Sequence, residues 1–216
     1  MVSIKEVIKK SVCAIALVAS ALSAQADPTF SLSAGTTSNL AANPFFSATA
    51  AQLGIAVPTV TIGNLAVQGG PADVTYSYLG SEAGFQDKAF HTLPNTLLFT
   101  TPGSTGGAFS TACGICVSSP FFIANGSLPF QFVSPLGTIN NGSNGAAEPN
   151  FGVWLSADAT TAYLFFNDKG AGPDADFDDM IIKATLSVSK VPEPSTYAML
   201  LAGLGIMGAV VRRRRS

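Results

Sequence analysis

Residues 74–79 read Val-Thr-Tyr-Ser-Tyr-Leu, with apolar and polar side chains alternating at a period of two. A strand turns successive side chains to opposite faces, so this run suits a half-buried sheet and not a helix. Residues 59–65 alternate likewise, with Val60 and Ile62 set against Thr59 and Thr61. Residues 96–100, 120–124 and 128–133 are short apolar or aromatic runs, each bounded by Gly, Pro or Asn. Phe151, Val153 and Leu155 share one face, as do Met180, Ile182, Ala184, Leu186 and Val188. Turn dipeptides recur, among them Asn125-Gly126, Asn141-Gly142 and Asn144-Gly145, which favour hairpins. Residues 39–54 are rich in Ala and have room for a short helix, which Pro44 keeps from being long. Short strands at regular spacing predict an all-β body, an antiparallel β-sandwich of jelly-roll-like form.

Neither end of the chain belongs to that pattern. At the N-terminus Lys5, Lys9 and Lys10 precede the apolar run 11–22, and Ala24-Gln25-Ala26 offers a small-x-small cleavage site. This is the layout of a secretory signal peptide over 1–26, cut by signal peptidase so that Asp27 leads the mature chain. Twelve apolar residues are too few to span a bilayer comfortably. At the C-terminus Pro192, Glu193 and Pro194 precede an uncharged run, and Arg212, Arg213, Arg214 and Arg215 follow it. Each proline fixes φ and lacks an amide donor, so no helix runs in from the body. The uncharged stretch 195–211 makes a transmembrane helix of about 25 Å. It is slightly short, which local thinning of the bilayer or snorkelling ends would accommodate. The arginines would stay on the cytoplasmic side.

Setting both ends aside changes the charge. The whole chain carries a formal −2. The 164-residue body 27–190 holds only Lys88, Lys169, Lys183 and Lys190 against eleven carboxylates, a net −7. It has no arginine. Such a surface repels nucleic acid and anionic lipid and suits cations or neutral glycans. Cys113 and Cys116 are its two cysteines, spaced C-x-x-C. In an oxidising compartment they are expected to form a small-loop disulfide. A thioredoxin-like centre would need βαβ alternation around the motif. A zinc site would need more ligands than the single histidine, His91, supplies.

Chemistry concentrates between two strong strands, 161–167 and 179–188. Asp168, Asp174, Asp176, Asp178 and Asp179 crowd that loop. Carboxylates at i, i+2 and i+4 face one side of an extended backbone, and they repel one another unless a cation sits among them. Hard oxygen ligands with glycines nearby fit Ca²⁺ better than Mg²⁺ or a transition metal. Glu82, with Asp87, would complete the set from the neighbouring acidic stretch 80–87. Asp and Gly also make solvated turns without any ion. An EF-hand starting at Asp174 fails, because Asp179 and Thr185 stand where Gly and an acid are required. The β-roll nonapeptide fails as well, since Lys169 replaces its first glycine and the motif occurs once.

The tail resembles the PEP-CTERM signal of exported proteins in Gram-negative, polysaccharide-secreting bacteria. The loop from Asp168 to Met180 is similar to an aspartate-rich segment common just before that signal. Gly80-Ser81-Glu82-Ala83-Gly84 is similar to a second segment of the same proteins. The resemblance implies a secreted, β-rich surface protein processed by an exosortase-type sorting enzyme, with no assigned activity. It implies no ligand.

Other constellations are weak. G-x-S-x-G is absent, and His91 lies at a strand end, where an ordinary packed or surface histidine is expected. Trp154 lies on the strand face opposite Phe151, as a sugar-stacking aromatic or as part of a second packed face. Asn125-Gly126-Ser127 and Asn141-Gly142-Ser143 fit the glycosylation sequon and read as tight turns in a bacterium. The favoured expectation is a non-enzymatic, Ca²⁺-stabilised module at the cell surface or in the exopolysaccharide matrix. The alternatives are a glycan-binding, lectin-like or adhesive module and a polysaccharide hydrolase using paired carboxylates.

Overall fold

The computed structural model describes residues 26–33, 35–40, 51, 54, 59–103, 108–168, 177–189 and 194–215. The chain divides into two compact units. One is the body Ala26–Ser189, and the other takes in Met1–Gln25 and Lys190–Ser216. Each is described by itself.

In chain order the body's strands begin with β1 (Thr29–Leu32), β2 (Thr36–Asn39), β3 (Thr59–Ile62), β4 (Leu65–Gln68) and β5 (Ala72–Gly80). Next come β6 (Lys88–Thr92), β7 (Asn95–Thr100), β8 (Phe121–Ile123), β9 (Gly126–Ser127) and β10 (Phe130–Ser134). The last are β11 (Gly137–Asn140), β12 (Asn150–Leu155), β13 (Thr161–Asn167) and β14 (Met180–Val188). They form a seven-stranded sheet in the order β2-β3-β12-β13-β14-β5-β8 and a four-stranded sheet in the order β11-β10-β6-β7. A three-stranded sheet, β1-β4-β9, completes the body. Every pairing between these strands is antiparallel. The expected antiparallel all-β body is thus observed.

The two larger sheets meet through aromatic side chains. Phe132 of β10 stacks on Phe166 of β13 with centroids 4.5 Å apart, and Tyr76 of β5 stacks on Phe130 of β10 at 5.6 Å. Around them the alternating residues of both sheets join one buried cluster that also takes in Phe30, Leu65 and Val67 of the small sheet. Met180, Ile182, Ala184 and Leu186 enter it together, as their shared face predicts, whereas Val188 is exposed. A second cluster holds Leu40, Val60, Ile62, Phe165, Phe177 and Ile181 on the other face of the seven-stranded sheet. Trp154 and Tyr163 pack against it, with their rings 5.3 Å apart. The second-face reading of Trp154 is the one that fits.

The strand expected over 59–65 is two strands in different sheets. Gly63-Asn64 breaks it, and the Asn64 side chain reaches the 141–144 turn, accepting from the amides of Gly142 at 2.7 Å and Asn144 at 3.1 Å. Asn-Gly pairs do more than turn the chain. The Asn144 side chain accepts from the Phe151 amide and donates to the carbonyls of Phe151 and Gly63, all within 3.0 Å. Asn141 pairs with both backbone groups of Leu65 at 2.7 Å in the manner of a strand neighbour. Cys113 and Cys116 form the expected disulfide, and beside it the Tyr78 amide donates to Cys116 O at 2.9 Å. Most of the stretch expected to allow a short helix, 39–54, lies outside the described residues, as does the signal peptide apart from Ala26.

In the second unit the helix α1 (Pro194–Arg215) begins at the second proline of the Pro-Glu-Pro motif, the N-terminal position that proline tolerates. Its apolar side chains, Leu200, Leu201, Leu204, Ile206 and Met207 among them, are exposed. Among the described residues no helix is long and apolar enough to cross a membrane. The expected transmembrane helix is thus not confirmed among these residues.

Candidate functional site

The acidic loop is held by its two ends. Asp168 directly follows β13, Asp179 directly precedes β14, and the Asp168 amide donates to Asp179 Oδ2 at 2.8 Å. Phe177 anchors the returning end: it is buried in the second cluster and has φ of 61°. A left-handed φ is uncommon for a bulky residue and persists only where packing holds it. Its burial sets the direction in which Asp178 and Asp179 leave the loop.

A third carboxylate arrives from the other large sheet. Asp87 directly precedes β6, and its backbone is tied to the far end of that hairpin. Its amide donates to Thr101 Oγ1 at 2.8 Å, and its carbonyl accepts from the Thr101 amide at 2.9 Å. Carboxylate oxygens of Asp87, Asp168 and Asp179 lie within 4.8 Å of one another. Asp87 is 0 % exposed and Asp168 2 %. Neither carboxylate oxygen of Asp87 has a hydrogen-bond partner. Burial, and then the negative charge of Asp168, push the Asp87 carboxyl up to about 8. The Ser134 hydroxyl lies near enough to offset part of that rise, yet no hydrogen bond of acceptable length and angle reaches either oxygen. A buried, unbonded carboxylate beside two others is costly in its ionised form.

The remaining expected ligands fall as follows. Asp178 is buried, and its carbonyl accepts from the Glu82 amide at 2.9 Å, which joins the 80–87 stretch to the loop. The close three-carboxylate group does not include the side chains of Glu82 and Asp178. Asp174 and Asp176 lie outside the described residues, as do Pro192, Glu193 and Ala24; nothing is described of the Arg214 and Arg215 side chains. Asp87 was a secondary candidate in the sequence, although a signal for it exists. It is in phase with Ala89 and His91, both fully buried, so alternation turns position 87 inward.

His91 is a packed histidine. Its Nε2 donates to Leu93 O at 2.9 Å, which leaves Nδ1 to accept from the Tyr76 hydroxyl at 3.2 Å. Its ring stacks on Phe121 at 4.0 Å. Burial lowers its pKa, and the Leu93 bond offsets this in part.

The family comparison decides the other end of the chain. A family model for the PEP-CTERM protein-sorting motif matches residues 190–215, which contain the whole of α1. This chain carries a PEP-CTERM sorting signal. The match is consistent with an exosortase substrate, and it places Pro192, Glu193 and Pro194 and the arginines from Arg212 onward in one recognised segment. PEP-CTERM sorting implies secretion, with transient attachment to the membrane before the exosortase cuts. No curated protein and no solved structure matches the chain.

Proposed function

We propose that this PEP-CTERM protein is an exported, non-enzymatic β-module of jelly-roll-like topology, delivered to the cell surface or exopolysaccharide matrix. The observation that carries the reading is the sorting motif over 190–215 behind an acidic all-β body. Signal peptidase removes 1–26, and α1 then holds the chain at the membrane, with its arginines in the cytoplasm, until exosortase cleavage. A thinned bilayer or snorkelling arginines accommodate the short helix. The net charge of −7 on the body argues against nucleic acid as a partner and leaves polysaccharide as the natural contact.

Calcium bound by the carboxylates at the mouth of the β13–β14 hairpin stabilises the module. Its donors are all oxygen, and Asp87 supplies buried oxygens that lack any partner, a combination suited to a hard cation. Burial of these carboxylates supports a structural role over hydrolysis, which would need an acid and a base reachable by a sugar.

The test is expression in a host with and without its exosortase. The expected outcome is loss of the C-terminal segment only where the enzyme is present, with uncut chain accumulating in the membrane fraction otherwise. Glu193→Ala should mimic loss of the enzyme. Identical processing in both hosts would refute the sorting route.

A further inference from the structure

We infer that Asp87, Asp168 and Asp179 form a Ca²⁺ clasp that fastens the four-stranded sheet to the seven-stranded sheet. The inference rests on the calcium reading proposed above. It goes further by giving the ion a task, that of joining two hairpins from different sheets.

The geometry allows one ion to reach all three groups. Oxygens bound to a single Ca²⁺ at about 2.3–2.6 Å can stand no more than about 5 Å apart. The three carboxylates lie within 4.8 Å of one another. Proximity of acids alone would not make a site. The separate observation is that Asp87 is fully buried and leaves both carboxylate oxygens without a hydrogen bond. Buried polar atoms are satisfied in the great majority of cases, so an orphan pair facing two more carboxylates calls for a cation.

The placement gives the ion its mechanical role. Asp87 and Thr101 bond to each other at the base of the β6–β7 hairpin. Asp168 and Asp179 bond to each other at the base of the β13–β14 hairpin. The two hairpins belong to different sheets. A shared ion therefore joins two hairpin bases that strand pairing does not connect. Its binding free energy adds to the stability of the packed body, because only that body brings the three ligands together. Six to eight oxygens surround Ca²⁺, so water completes the shell.

The experiment uses the full chain in mild detergent, stripped with EDTA and titrated with CaCl₂. Calorimetry and thermal melts are read alongside amide hydrogen exchange. The wild type should bind Ca²⁺ and melt higher. Exchange should slow both at the Thr101 amide and at the Asp168 amide. Asp87→Asn, close to isosteric, should weaken Ca²⁺ binding by about tenfold or more and abolish the slowing at Thr101. Asp158→Asn, an exposed carboxylate elsewhere, should leave the response unchanged.

If D87N keeps wild-type affinity and Thr101 exchange ignores Ca²⁺, the clasp is refuted while calcium binding at the loop stands. No binding or melting shift in the wild type would remove the calcium reading and the clasp with it. An equal loss in D158N would reduce the effect to bulk charge and overturn the clasp. Should D87N fail to fold, the wild-type exchange pattern at Thr101 and Asp168 alone decides.

Discussion

His91 shows how a residue that looks chemical in the sequence becomes structural in the fold. Its Nε2 and Nδ1 are both engaged and its ring is stacked, so no nitrogen is left for a substrate. Burial holds its pKa below the usual value, against about 6.5 in the unfolded chain. The unfolded chain therefore takes up the proton first as pH falls. The stabilisation from keeping His91 neutral is complete above pH of about 6.5 and is lost as pH drops through the lower folded value. Urea unfolding of wild type and His91→Gln from pH 7.5 to 5 should show a steeper loss of stability in wild type. Parallel profiles would contradict this assignment. Asp87 carries the opposite lesson, because an acid in phase with buried Ala89 and His91 looked secondary until its surroundings were known.

Strand β12 (Asn150–Leu155) is where local pattern and tertiary demand meet most tightly. Its alternation was legible, with Phe151 and Val153 turned into the main cluster. The role of Gly152 was not. A Cβ there would collide with the Val60 side chain of β3, and β12 and β3 pair only at Val153 and Thr61. Gly152 lets the two strands approach where the ladder is thin. Gly152→Ala is expected to cost about 1–3 kcal/mol through overpacking, read as a lower denaturation midpoint at unchanged m-value. An unchanged midpoint would show that β3 yields freely. The break at Gly63-Asn64 was hidden for a similar reason: the alternation of 59–65 continues through it, and the partners of the Asn64 side chain, Gly142 and Asn144, are distant in the chain.

At the scale of the whole molecule, the body depends on the contact between its two larger sheets. Phe132 lies at the centre, with Phe166 at 4.5 Å, Phe130 at 4.8 Å and Phe151 at 5.6 Å. Phe132→Ala removes a fully buried ring and is expected to cost about 3–5 kcal/mol. If the sheets unfold as one unit, fluorescence of Trp154 and far-ultraviolet circular dichroism should report the same lowered midpoint. Separate midpoints would mean that each sheet is stable alone.

Periodicity and turn dipeptides were enough to establish an antiparallel all-β body, and the uncharged tail between Pro-Glu-Pro and the arginines carried the resemblance to a sorting signal. Those properties are local: strand period, φ restriction and charge placement act within a few residues. The meeting of Asp87 with Asp168 and Asp179, the division of 59–65 between two sheets and the two-sided packing of the large sheet were decided only by tertiary structure. Each depends on which distant segment lies opposite, and that is set by burying one shared aromatic core rather than by any neighbour along the chain.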